Sequence, residues 1–571
     1  MTSETAAGAL AEAEPGEPDW QWLSPRSLVV RPVTDLLRAL PLVVGLLFFG
    51  SRHGAPNLWG LAFAGLAIAT SIVRYCTTRY RVTAERVYLR HGLLSQKVLS
   101  VPRDRIRSVD LSAHVVYRIL GLRKVHLGTG RNDRRDGGSL HLDALTLADA
   151  EALRAALLAS PAPLSPAVDG APASGGPDAS AVTGPAEREL ARLAPGWVRY
   201  APLTLTGLVI VGVVIGTAFQ FIDATHVDIT TIGPVHRLTV TLSHLTLLQR
   251  ALEVALAVLA LLVLLSVAGY VALFWNFRLV RVGTGMLRVS RGLLSTRTTT
   301  IDTRRLRGAE LSEPLLLRGA GGARCLAITT GLRVGHGAER GGSLLLPPAP
   351  RGVAAAVAGA VLETAVAEAA GAGAGGGVDE AGAAAGAAGA EAVRAGAAGA
   401  ELAGAGPAGP GGGWAAELLT GELVRHGAAA RRRRYVRAVG VAGVLAAAGI
   451  VAWAAGALPA WAGLGSLILL PLGAVLAADR YASLGHRLAG GWLVTRTGSL
   501  IRRRSVLSTE GIIGWRIHQS WFQRRQGLAS LAATTAAGRQ HYTAHDLPVA
   551  TALDLATTAT PDLISPFRTT A

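Results

Sequence analysis

The 571-residue chain is poor in the residues that mark most familiar chemistries. Its two cysteines, Cys76 and Cys325, are too few and too far apart for a disulfide framework or a zinc site, and each reads as a buried free thiol. Lysine is nearly absent, with Lys97 and Lys124 the only two. Charged residues make up 16%, against about 25% in an ordinary soluble chain, which disfavours a purely soluble enzyme. No paired carboxylates, Ser/His/Asp set or HExxH helix can be assembled, so the sequence offers no catalytic residues, no metal site and no cofactor site. The glycine-rich run 371–376 matches a dinucleotide fingerprint only on paper, because no strand precedes it and no βαβ unit follows.

What the chain does have is apolar residues, 50% of the total, and a surplus of positive charge of +18 carried almost wholly by arginine. Arginine, alanine and glycine are abundant together, the mark of a GC-rich coding sequence, so the surplus alone says little about nucleic acid. Its placement says more. A spanning helix needs roughly 20 apolar residues. Residues 200–222 and 254–277 are uncharged, and 438–478 is an uncharged run of about two helix lengths broken at Gly456-Ala457-Leu458-Pro459. Residues 54–73 form another span, and 33–50 crosses only if Asp35 and Arg38 lie near the interface. About six spans therefore fall into three hairpins, 33–75, 197–277 and 435–480, with an outer loop at 223–250. With the N-terminus inside, all but Arg52, Arg237 and Arg250 of the 56 basic residues are cytoplasmic, and Arg431-Arg432-Arg433-Arg434 directly before the fifth span is the clearest marker. The acidic start lacks a basic n-region, so no cleavable signal peptide is expected.

Each hairpin is followed by a polar segment, and these segments are alike. Gly92-Leu93-Leu94-Ser95 recurs as Gly292-Leu293-Leu294-Ser295, and Arg105-Ile106-Arg107 as Arg305-Leu306-Arg307, both at an offset of 200. A third copy aligns Gly498 with Gly292 and Ile512 with Leu306 at an offset of 206. Short alternating runs such as 80–83 and 86–89 predict strands, and 147–158, 353–370 and 549–556 predict closing helices. Residues 161–196 and 371–434 read as linkers, the second ending in the basic run, and 1–32 as a cytoplasmic N-terminal segment.

The Tyr80-Arg81-Val82-Thr83 strand, Gly92-Leu93-Leu94, the Val-Pro-Arg-x-Arg-Ile-Arg-Ser-Val strand from Val101 to Val109, and Leu120-Gly121-Leu122 resemble the bacterial pleckstrin-homology (PH) domains of the YdbS and YdbT type. Copy two departs by Asp302 in place of the proline and Arg318-Gly319-Ala320; copy three keeps Gly527-Leu528 but carries Glu510-Gly511. The resemblance implies an α+β membrane protein: three repeats of a transmembrane helix hairpin followed by a cytoplasmic PH-like β-barrel, a split seven-stranded one, with a C-terminal capping helix. The PH-like domains would cover 76–160, 278–370 and 481–571.

Arg103, Arg105 and Arg107 in copy one, and Arg304, Arg305 and Arg307 in copy two, are the candidate contacts to anionic lipid headgroups. On a strand the odd-numbered three share one side, and near a negative leaflet each gains about 1 kcal/mol. The alternative is a solvated barrel face. His226, His236 and His244 with Asp223 and Asp228 lie in the outer loop without helical ligand spacing and read as surface. Arg502-Arg503-Arg504, Arg524-Arg525 and the aromatics Trp515, Trp521 and Phe522 suit a membrane interface better than nucleic acid. The expected function is a non-enzymatic platform in the cell (plasma) membrane. The resemblance adds a smaller PH-domain membrane partner and a part in envelope stress or resistance to membrane-active peptides. The rival, a lipid-handling or transport protein, calls for ionisable residues within the spans, and only Asp35 and Arg38 qualify.

Overall fold

The computed structural model describes most of residues 65–158, 187–204, 246–330, 343–374 and 413–564, with short pieces between 20 and 30. The first span, most of the second and third, and the 223–245 part of the outer loop lie outside the described residues. The chain divides into two compact units, one of 1–184 with 220–228 and 290–300, the other of 185–219, 229–289 and 301–571.

In chain order the elements begin with β1 (Gln21–Trp22), β2 (Arg79–Val82), β3 (Arg86–His91), β4 (Lys97–Pro102), β5 (Ser108–His114), α1 (Val115–Ile119), β6 (Leu122–Gly128), β7 (Leu140–Thr146) and α2 (Leu147–Leu158). Next come β8 (Glu187–Arg192), α3 (Leu247–Phe274), β9 (Arg278–Val282), β10 (Met286–Arg291), β11 (Ser295–Asp302), β12 (Leu306–Pro314), α4 (Leu315–Gly319), β13 (Gly322–Thr329), β14 (Leu344–Pro350) and α5 (Arg351–Ala374). The remainder is α6 (Trp414–Thr420), α7 (Gly427–Ala454), α8 (Ala460–Gly465), α9 (Leu469–Ala482), β15 (Gly485–Ala489), β16 (Trp492–Thr497), β17 (Ile501–Ser508), β18 (Gly514–His518), α10 (Trp521–Arg524), β19 (Leu528–Thr534), β20 (His541–Pro548), α11 (Val549–Ala559) and α12 (Pro561–Ile564). The fold is mixed α/β with several antiparallel sheets.

Among the described residues, three helical stretches are long and apolar enough to cross a membrane: α3, α7, and the run Ala460–Ala482 that joins α8 to α9 through one 3-10 turn. At about 1.5 Å per residue they reach roughly 35–42 Å. Thr246 starts α3 with a capping box, its hydroxyl taking the Gln249 N–H while the Gln249 side chain takes the Thr246 N–H. The expected break between α7 and α8 is present: Gly456 adopts φ +75° and Pro459 caps α8. Small residues let the two helices approach closely. A Cβ at Gly473 would lie 2.8 Å from that of Ala442, and Ser466 Oγ donates to Ala446 O at 3.0 Å across the pair.

In the first unit β1-β2-β3-β4 form one sheet. Strand β5 pairs with β6 and β6 with β7. Alternation aims Val87 and Leu89, Val109 and Leu111, and Val125 and Leu127 into one core, closed by Leu153 of α2. In the second unit β14-β13-β12-β17-β16-β15 make a six-stranded sheet and β18-β19-β20 a three-stranded one. Helix α5 lays Ala355, Ala358 and Leu362 on the large core there.

Within a segment, the third and fourth strands belong to different sheets. The fourth strand of one segment takes the third strand of the next: β5 pairs with β11, from Val109↔Thr300 to His114↔Ser295, and β12 with β17, from Gly308↔Leu507 to Pro314↔Ile501.

Two stretches read as linker are structured. Strand β8 pairs with β9, and α6 buries Ala415, Leu418 and Leu419 against the core that α5 covers. A Cβ at Gly359 of α5 would come within 2.8 Å of Ala416 N, so glycine permits that approach. Short pieces ahead of each apolar region thus bridge to the strand behind it, at Trp22↔Arg79, Arg192↔Arg278 and Val424↔His486. The cysteines also divide. Cys325 is buried as expected, but Cys76 is exposed, because it stands on the last helical turn before β2 and borders a cavity rather than the core.

Candidate functional site

Of the candidate arginines in the first segment, Arg103 is the one among the described residues. Arg103 sits in a 3-10 turn just after β4, where its N–H donates to Glu85 O at 2.8 Å; Arg105 and Arg107 lie outside the described residues. Arg304 and Arg305 also occupy a 3-10 turn, Thr303–Arg305, between β11 and β12. Asp302 caps that turn through the Arg304 N–H at 3.0 Å and pairs with Arg305 Nε at 3.3 Å. Arg307 lies on β12 and packs against Gly511. In this second segment the chain turns at Thr303–Arg305 before β12 begins. Strand β12 then runs nine residues, about 30 Å, before reaching α4.

At that other end of β12 the apolar helices meet the sheets. Asp479, near the C-terminus of α9, accepts from Arg318 of α4 at 2.6 Å and from Arg502 of β17 at 3.3 Å. Arg502 also donates to Ser483 Oγ, Arg318 to Ser499 O, and Arg496 to Ala482 O. Beside these bonds Leu315, Leu316 and Leu500 are exposed.

The base of α7 is fixed in the same way by Asp546 near the end of β20, whose side chain is wholly buried. Arg433 pairs with Oδ1, and Arg434 Nη2 lies 2.6 Å from Oδ2. Gln523 Nε2 donates to the same Oδ1 at 2.8 Å and to Ser530 Oγ at 2.9 Å. Arg433 also donates to Ser520 Oγ, the N-cap of α10. Since Gln523 points inward, its helical neighbours Trp521 and Phe522 point out, both exposed, with ring centroids 5.0 Å apart and Arg525 over the indole. Arg431, Arg432, Arg524 and Arg525 are exposed as well. Half of the arginine block read as a topology signal is therefore spent on a buried carboxylate.

Three histidines adjoin this cluster. His426 Nδ1 lies 2.7 Å from the His545 carbonyl and must donate to it, which leaves Nε2 to accept from His486 Nδ1 at 3.1 Å. Burial pushes His426 down to about 4 and lowers His486 and His545 as well. Nothing in the sequence pattern marked Asp546 or these histidines, because they are brought together over 60 to 119 positions of chain. Among the described residues no group of three or more His, Cys, Asp or Glu is placed to hold a metal ion. The loop histidines 226, 236 and 244 fall outside the described residues.

The family model for the bacterial PH domain matches residues 36–160 and 436–560. Two bacterial PH domains are therefore present, and the segment from β9 to α5 lies outside both matches. No curated protein and no solved structure matches the chain.

Proposed function

We propose that this is a multi-pass membrane protein whose hairpins hold three PH-like domains against the inner leaflet as a non-enzymatic interaction platform, in the manner of the YdbT-type proteins. The middle domain is the β9-to-α5 segment, which repeats the element order of the two matched ones. One observation carries the reading: Asp479 and Asp546 tie the ends of apolar helices to the sheets by buried or half-buried arginine pairs. Such ties hold the adjoining rim at membrane level. The rim is what an interface favours, with exposed Leu315, Leu316, Leu500, Trp521 and Phe522 beside Arg431, Arg432, Arg524 and Arg525. On this reading anionic headgroups meet the rim, while Arg304, Arg305 and Arg307 stand a strand length away.

The platform recruits a smaller membrane protein with a PH-like domain, and the resemblance gives it a part in envelope stress. Crosslinking of the full chain in its native membranes, followed by affinity purification, tests this. A stable membrane partner is expected. Recovery of none, together with lipid or solute flux in vesicles holding this chain alone, would replace the platform with a transporter.

A further inference from the structure

The two filled strand junctions share one detail. In the first, Asp110 of β5 meets Arg297 of β11 at 2.8 Å; in the second, Glu310 of β12 faces Arg503 of β17 at 3.6 Å. In both the acid sits diagonally from the arginine, since Asp110 lies opposite Thr299 and Glu310 opposite Ser505, each two residues beyond its partner. Both acids are buried, and the burial of Glu310 raises its carboxyl even beside Arg503, Arg539 and Ser505. A fourth strand thus accepts a third strand by backbone pairing, with a diagonal charge pair across the junction that Arg539, 3.2 Å from Glu310, joins in the second case.

Strand β18 is the fourth strand of the last segment, and among the described residues it pairs only with β19. The offset of 206 that sets Ile512 against Leu306 carries through the fold, because α4 begins at Leu315 and α10 at Trp521. It places Arg516 where Glu310 stands and Ile517 where Leu311 stands. Leu111 and Leu311 are 6% and 1% exposed, whereas Ile517 is 43% exposed, and Arg516 is exposed too. Among the described residues the third junction is unfilled, and its charge is reversed. A second copy of this chain is a poor occupant. Among the described residues its third strand with a free edge is β4, whose sequence has Lys97 at the position aligned with Arg297 and Arg503, so the pairing would set like charges at Arg516.

We infer that the free edge of β18 is the docking site for the third strand of a PH-like domain in a different protein, one bearing Asp or Glu where this chain carries Arg297 and Arg503. The pairing extends the sheet, covers Ile517 and neutralises Arg516. This deepens the platform reading and depends on it for the existence of a partner.

A photo-crosslinking residue placed at Ile517 of the full chain, in native membranes, tests it. The adduct should map by mass spectrometry to the strand two before the short helix of a PH-like domain in another chain. Arg516→Glu should cut its yield at least tenfold, and changing the partner's acid to Lys in that background should restore it. Arg516 is exposed, so a variant with unchanged melting temperature isolates docking from folding. An adduct to a second copy, to a protein without such a domain, or a yield unmoved by Arg516→Glu overturns the inference. So does the absence of an adduct where general crosslinking of the same membranes still recovers a partner, and that result leaves the platform standing. Failure of both removes the platform as well.

Discussion

Arg434 of α7 lies 2.6 Å from Asp546, a carboxylate with no solvent exposure that Arg433 and Gln523 also engage. The pair joins the first turns of an apolar helix to β20, the last strand among the described residues. Its position explains why the arginine block is long. Arg433 and Arg434 neutralise one buried charge, while Arg431 and Arg432 remain exposed.

Removing that carboxylate strands two arginines. Breaking a buried pair from one side costs about 3–5 kcal/mol. Asp546→Ala should therefore lower the melting temperature of the detergent-solubilised full chain by many degrees. Asp546→Asn, which still accepts from Gln523, should lose less. Equal stability of wild type and Asp546→Ala would refute the tie.

Asp479 offers a weaker version of the same test. Arg318 and Arg502 are both partly exposed, and water shares their charge once the acid is gone. Asp479→Ala should cost roughly 1–2 kcal/mol in chemical or thermal unfolding. The loss should be absent when Arg318 and Arg502 are already replaced by Met, since the acid then has no partner to strand.

Much of this architecture was legible because periodicity reports it. The alternation at 80–83 and 86–89, the apolar runs of α3 and α7, and the break at Gly456 to Pro459 are local signals. The offsets of 200 and 206 fixed which strands correspond. What escaped was non-local. Strand β8 and helix α6 are short and lie in stretches of linker composition, and they hold shape only through β9 and α5. The 3-10 turns at Arg103 and at Thr303–Arg305 also escaped, because a turn of so few residues carries no periodic signal. Asp546, His486 and His545 gave no signal, since only folding brings them to α7 and its N-cap residue His426.

The histidine chain makes stability depend on pH. His426 titrates near 6.5 in the unfolded chain and at about 4 in the folded one, so the unfolded chain holds more protons between those values. Its contribution is full above about 6.5 and is lost as pH falls toward 4, a difference on the order of 3 kcal/mol. Protonation sets an N–H of His426 against the His486 donor; His486 and His545 shift in the same direction, with Arg433 and Arg434 beside them. The melting temperature should fall between pH 7.5 and pH 5, and His426→Asn, which keeps a donor toward His545, should flatten the slope. An identical slope in that variant would rule the histidine out.

The two cysteines should differ sharply toward thiol reagents. Cys325 is fully buried, and desolvation together with the neighbouring Glu310 drives its thiol well above the usual range. Cys76 is exposed at a cavity of about 680 Å³ bordered by Trp22, Tyr75 and Asp149. A small maleimide applied to the native chain should label Cys76 within minutes and leave Cys325 untouched until the protein is denatured. Mass spectrometry of the two peptides separates them, and early labelling of Cys325 would contradict the core in which it is placed.

Two glycines give opposite expectations for the same substitution. Gly498 turns β16 into β17 with φ +97°, and a Cβ there would fall 2.0 Å from Ile501 O, a backbone atom that cannot move without disturbing the pairing of Thr497 with Arg503. Gly440 lies inside α7 with nothing within 4 Å of a built Cβ. Alanine at Gly440 gains helix propensity worth up to about 1 kcal/mol. Alanine at Gly498 has to adopt a left-handed backbone and displace a strand, so it should destabilise by several times that amount. Thermal unfolding of the two variants beside wild type decides the matter. A Gly498→Ala protein as stable as Gly440→Ala would mean that the β16–β17 turn is not the tight one that brings Leu500 and Ser499 to Leu315 and Arg318.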